Sequence, residues 1–168
     1  MADCSIEKNK RDALINEMVI QNDEPWQEKM LKTLHFIYGK APFYEKHIEL
    51  FRDILSQEWE KLVDLNIAVI KTLYRCLGLR DNLLMSSILG IDLMKDDKLV
   101  AICEELGAGI YLANNGSKDY IDPGKFHGRG IGFVFQDYGH PEYPVQKYQF
   151  KPYLSAIDLL FWHGPDTL

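Results

Sequence analysis

An imidazole, two carboxylates and two phenols fall within one short stretch at residues 137–143, which reads Asp-Tyr-Gly-His-Pro-Glu-Tyr. The stretch follows an apolar, aromatic run at 131–136 that has the composition of a strand, and α/β proteins place ligands where strands end. A histidine titrates near neutral pH, so His140 is the best acid/base candidate and could take the proton of an attacking amine. Asp137 and Glu142 would orient it or simply face water, and a turn histidine held by Pro141 is the bland alternative. Ser86 and Ser87 stand near the end of another apolar run, where hydroxyls and amides either hydrogen-bond a polar ligand or satisfy a tight connection. Asp119, Tyr120 and Asp122 follow the turn-forming Asn-Asn-Gly-Ser at 114–117, which makes a loop able to close over a sugar or a set of solvated turn acids. Gln136 ends the strand-like run and Tyr143 closes the polar stretch, which completes the substrate-binding candidates Ser86, Ser87, Asp119, Tyr120, Gln136 and Tyr143.

Other motifs are weaker. Gly128, Gly130 and Gly132 surround Arg129 in a pattern that invites a phosphate-loop reading. They precede a strand instead of joining a strand to a helix, so turn glycines explain them better. No Walker sequence, zinc-protease helix, nucleophile elbow or kinase signature occurs. His127 and His140 lack the spacing of metal ligands and read as loop residues. Cys4, Cys76 and Cys103 form no CxxC pair, and Cys76 and Cys103 lie on apolar helical stripes as reduced core residues.

These groups need elements to hold them. Residues 13–20 are short, apolar and β-branched towards their end, which predicts a strand. Asp23, Glu24 and Pro25 open a helix carrying Trp26, Met30, Leu31, Leu34 and Tyr38, stopped by Gly39. A second helix beyond Pro42 turns Tyr44, His47, Ile48, Phe51, Ile54 and Leu55 inward. In a third, Trp59, Leu62, Val63, Asn66, Ile70, Leu73, Tyr74 and Leu77 recur at helical spacing before a left-handed cap at Gly78. Residues 82–89 read as a buried strand, Leu99, Ile102, Cys103 and Leu106 as a helix ended by Gly107, and 109–113 as the next strand, giving a βαβ pattern. Asp122, Pro123 and Gly124 are read as a turn, and Ser155 with Asp158 as a capping-box-like start to a closing helix. The aromatic residues between Tyr138 and Trp162 favour a core over a stacking surface. The expected architecture is one α/β domain over residues 1–168, with an N-terminal helical layer packed on a small, mainly parallel β-sheet.

The chain has 168 residues, 46% of them hydrophobic and 12% aromatic, enough to bury one core. A net charge of −6 with dispersed basic residues argues against a nucleic-acid partner. It leaves room for an anionic small molecule in a local pocket. The first residues lack the apolar core of a signal peptide and no run approaches a membrane span, so a cytoplasmic location is expected. Neither a metal nor another cofactor is indicated, and no feature signals an oligomeric state.

One ordered set of segments is more specific than any single motif. Pro25-Trp26 leads a helix into Tyr38-Gly39-Lys40-Ala41-Pro42-Phe43-Tyr44, followed by Ser86-Ser87, Leu106-Gly107-Ala108 with Tyr111, and Asp119-Tyr120-Ile121-Asp122. Gly130-Ile131, Phe135-Gln136, His140-Pro141-Glu142-Tyr143 and the run from Leu154 to Phe161 complete it. In this order, from about Ile15 to the end, the chain resembles the WbqC-like family. The resemblance implies a bacterial protein of O-antigen or related surface-polysaccharide assembly, with glycyl or other acyl transfer to a nucleotide-linked amino sugar as its activity. His140 would accept the proton, and Ser86 and Ser87 would donate hydrogen bonds to the developing oxyanion. The family usually opens with a Gln-Pro-aromatic strand end and a later Asn-Arg-Asn-Arg stretch, neither of which precedes Ile15. A chain short of that βα unit would lose a central strand and part of a pocket, which raises a rival expectation of a non-catalytic sugar- or partner-binding protein that keeps the fold.

Overall fold

The computed structural model describes residues 14–145 and 149–165. Among these residues there are six α-helices, α1 (Trp26–Tyr38), α2 (Tyr44–Leu55), α3 (Leu62–Cys76), α4 (Lys95–Glu105), α5 (Pro123–His127) and α6 (Ala156–His163), and two strands, β1 (Ile110–Ala113) and β2 (Gly132–Phe135). The α/β class expected from the sequence is therefore present, with a parallel two-stranded sheet. The chain divides into two compact units. The first takes residues up to Asp81 and from Pro141 onward; the second is Asn82–His140.

In the first unit α6 packs against α1, α2 and α3. Its sequence is apolar around most of its circumference, and Leu160, Phe161 and Trp162 are buried, as a helix surrounded by others requires. Ser155 caps it by accepting from the Ile157 amide. The capping-box reading gave Asp158 a local role, whereas its fully buried carboxylate accepts a hydrogen bond from the Tyr143 hydroxyl at 2.8 Å. Phe161 has no exposed surface and meets the rings of Tyr38, Tyr44 and Phe51 at centroid distances of 5.2, 5.3 and 5.9 Å. Beyond α6 the chain turns at Gly164 with φ +76°, where a Cβ would stand 2.9 Å from the Phe43 ring, so both backbone and space call for glycine.

The apolar periodicity of α2 holds at every position, since Tyr44, His47, Ile48, Phe51, Ile54 and Leu55 are all buried. That of α3 is offset. Asn66 and Ile70 are exposed, and the buried positions are Leu65, Thr72 and Cys76. Trp59 precedes the helix, so a phase counted from it misses the inward face; the Trp59 ring nitrogen instead donates to the Ile54 carbonyl at 2.8 Å. The strand expected at 13–20 does not form over 14–20; residue 13 lies outside the described residues. A 3-10 turn occupies Ile15–Glu17, and pairing is confined to an antiparallel bridge between Val19 and Lys61. Gly78 adopts φ +66° after α3, as expected of a left-handed cap. Cys76 and Cys103 are free and buried, and burial pushes both thiols up; Cys4 lies outside the described residues.

His47 carries a measurable consequence. It is 5% exposed, and its buried Nε2 has no hydrogen-bond partner among the described residues. Burial, and then the charge of Lys46, hold the imidazole below its ordinary value of 6.5. The folded chain thus prefers the neutral ring, while the unfolded chain binds the proton more readily. The contribution to stability is whole above 6.5 and is lost as pH falls from there through the lower folded value. Replacing His47 by Leu removes the orphaned nitrogen, so stability at neutral pH is expected to rise by about 1 kcal/mol. Urea melts across mildly acidic pH should show a shallower decline for the variant than for the parent. Parallel declines would exclude His47 as the source.

In the second unit β1 and β2 run parallel, with Ile110 opposite Gly132 and Ala113 opposite Phe135. One sheet face, carrying Tyr111, Phe133 and Phe135, packs into a core with Val100, Cys103, Ile121, Phe126 and Ile131. On the other face Ile110, Leu112 and Val134 are exposed. The βαβ unit exists, but one element later than the sequence pattern placed it: α5, only five residues long, connects the two parallel strands. Residues 82–89 form no strand. Residues 82–85 have no regular structure and a 3-10 turn follows at Ser86–Leu89, largely exposed. The Asp122 turn is instead the start of α5, where the carboxylate accepts from the Gly124 amide at 2.8 Å and Pro123 fits the first helical position.

Candidate functional site

Parallel pairing sends two chain segments out of the same end of the sheet, because Ala113 and Phe135 are partners at the carboxyl ends of their strands. After β1 come residues 114–120; after β2 come 136–140. The Gln136 amide extends the ladder by donating to the Ala113 carbonyl at 2.7 Å, leaving the Gln136 side chain exposed at the strand exit. Open α/β sheets bind ligands at this end.

The first of these segments is anchored from inside. Asn115–Ser117 makes a 3-10 turn, and buried Ser117 donates its hydroxyl to the Asn114 carbonyl at 2.7 Å. Ile121 is buried and its amide donates to the Ser117 carbonyl at 3.0 Å. Between these anchors Asp119 and Tyr120 point outward, Tyr120 with 72% of its surface exposed. On the second segment, half-buried His140 meets the Tyr138 ring edge-on at a centroid distance of 6.1 Å, and Asp137 is exposed. Sequence reasoning passed over Lys118. Its ammonium lies 5.4 Å from the centre of the Phe135 ring, which places a cation at the end of β2. The only signal was a basic residue directly after the Asn-Asn-Gly-Ser turn.

The acids near the loop brace helices. The Asp122 amide donates to Asp96 at 3.1 Å, and Lys125 donates to Asp97 at 2.7 Å, fastening the start of α5 to the first turn of α4. That hydrogen bond is the main cause pushing the Lys125 ammonium up. Ser86 and Ser87 are exposed on the 3-10 turn, which packs against α4. Asp119, Tyr120, Gln136 and His140 thus lie on the segments that leave one end of the sheet, whereas Ser86 and Ser87 lie on the turn packed against α4. Tyr143 belongs to the first unit, where it is buried against Asp158 and stacks edge-on with Phe150.

Arg129 pairs with Glu104 at 3.1 Å, Gly128 ends α5, and Gly130 has φ +72°, so the glycine cluster turns the chain from helix to strand and has no helix N-terminus to offer a phosphate. Among the described residues no three His, Cys, Asp or Glu side chains are grouped so as to hold a metal ion. No helix among them is long and apolar enough to cross a membrane.

A helical unit, and a second unit with a short parallel strand pair whose exits carry polar loops, define an α/β protein. Residues 3–168 match the family model described as the WbqC-like protein family, and the chain belongs to that family. It is also similar to the uncharacterized protein Rv1507c of Mycobacterium tuberculosis, with 25% identity over 155 residues, covering 91% of this chain and 67% of the relative. No solved structure matches. Membership in the family suggests a polysaccharide-related role.

Proposed function

We propose that this protein is a cytoplasmic enzyme of bacterial surface-polysaccharide assembly, O-antigen included, that transfers a glycyl or other acyl group to a nucleotide-linked amino sugar. The observation that supports this most is the exit of residues 114–120 and 136–140 from one end of the parallel strand pair. There His140 receives the proton of the attacking sugar amine as the new C–N bond forms and the bond from the acyl carbon to its leaving group breaks. Asp119, Tyr120 and Gln136 hydrogen-bond the sugar, Lys118 faces the anionic part of the donor or acceptor, and the Ser86 and Ser87 turn supplies donors to the oxyanion.

The experiment incubates the purified chain with a nucleotide-linked amino sugar and an activated glycyl donor and follows the sugar by mass. A gain of one glycyl residue is expected, and His140→Ala should slow it about 100-fold, the ordinary share of a general base. Undiminished turnover in the variant removes His140 from the mechanism. The exposure of Ser86, Asp119, Tyr120 and Gln136 favours a second reading, a sugar-binding protein without chemistry. It predicts saturable binding of the nucleotide sugar, weakened by Tyr120→Ala, with no change in the sugar's mass.

A further inference from the structure

A groove of about 610 Å³ opens between α1 and α2 in the first unit and shares no residue with the site proposed above. One stripe of each helix lines it. Glu28, Leu31, Lys32, His35 and Phe36 follow at three- and four-residue spacing on α1, and Tyr44 and Arg52 stand about two turns apart on α2. Its volume is in the range of small-molecule sites. Phe36 presents 80% of its surface, more than any other large apolar side chain among the described residues, and forms an apolar wall with Leu31.

Lys32 and Arg52 give this groove two cationic donors. Tyr44 is buried and its hydroxyl lies 3.3 Å from His35 Nδ1. Burial pushes the phenol up, so Tyr44 stays uncharged in this groove. Arg52 engages Glu49 through Nε at 3.3 Å, and its two terminal amino groups remain for a ligand. Lys32 and Glu28 form an exposed pair at 3.2 Å, of a kind worth little and easily exchanged. Glu28 is the single carboxylate in the lining, against the cations Lys32 and Arg52. A flat apolar wall beside a planar guanidinium fits a flat ligand with one planar anionic group.

We propose that the α1/α2 groove binds an aromatic monocarboxylate, its ring against Phe36 and Leu31 and its carboxylate on Arg52. The probe is 1-naphthoate, titrated by its own fluorescence, with the uncharged 1-naphthalenemethanol as comparison. Saturable naphthoate binding about tenfold tighter than that of the alcohol is expected, one charge-assisted contact being worth about that factor. Arg52→Gln should erase this difference without affecting the alcohol, while Phe36→Ala should weaken both probes about tenfold. Both side chains are exposed, so the variants should keep the parent's circular dichroism and melting midpoint. Absence of saturable naphthoate binding, equal affinity for the two probes in the parent, or naphthoate affinity unchanged by Arg52→Gln would each overturn the proposal.

Discussion

Replacing Phe161 by Ala is expected to lower stability by about 4 kcal/mol, within the range for deleting a buried aromatic ring. The ring has no exposed surface and is the common neighbour of Tyr38, Tyr44 and Phe51, so its removal empties the point where α1, α2 and α6 meet. Lost burial and the cavity left behind act together, and three edge or tilted ring contacts disappear with them. For a chain of this length the melting midpoint should fall by roughly 10 °C. Trp26, Trp59 and Trp162 all belong to the first unit, so tryptophan emission reports its unfolding directly. Phe161→Leu should recover about half of the loss, since it restores volume without the ring. A midpoint shift of only a degree or two in Phe161→Ala would mean that the surrounding rings close over the gap, and would remove Phe161 as the keystone of this core.

The second large effect is expected from Phe126→Ala. Phe126 is also fully buried, stacked on Tyr111 at 4.7 Å and edge-on to Phe133 at 5.1 Å, so it joins α5 to the inner faces of both strands. The loss should again be about 3–5 kcal/mol, but in the core of Asn82–His140. That unit contains no tryptophan. Amide exchange in Ile110–Ala113 and Gly132–Phe135 should therefore accelerate by orders of magnitude while the tryptophan-monitored midpoint stays near the parent's. The same variant should abolish any chemistry at the strand exits, because residues 114–120 and 136–140 are held by the paired strands. Coincident loss of both signals would show instead that the two cores melt as one.

The pattern of agreement between sequence and structure follows from how much information each segment carries. In α2, twelve residues of continuous periodicity leave one inward face, and all six expected positions are buried. Residues 13–20 and 82–89 are short apolar runs, which periodicity cannot distinguish from turns. Exposure of Leu83, Leu84, Met85 and Ile88 shows that apolar composition there did not mean burial. The five residues of α5 were too few to register as a helix, although Asp122-Pro123 was a legible start signal. At the site, the strand ending at Phe135 and the turn at Asn114 could be read in advance, and with them the neighbourhood of Gln136 and His140. The pairing of Tyr143 with Asp158 could not, because it joins an irregular segment to α6 across 15 positions and leaves no local spacing signal. The order of short segments carried the family relationship where individual motifs did not.

The interrupted composition of the first unit sets an order of events during synthesis. A ribosome delivers α1, α2 and α3 well before α6, with the whole of Asn82–His140 emerging in between. The middle segment is contiguous and can close on itself as soon as it clears the exit tunnel, whereas the faces of the three early helices that pack on α6 stay bare until it arrives. Translational pausing in the final stretch of the message would therefore prolong the interval in which chaperones have the most to hold.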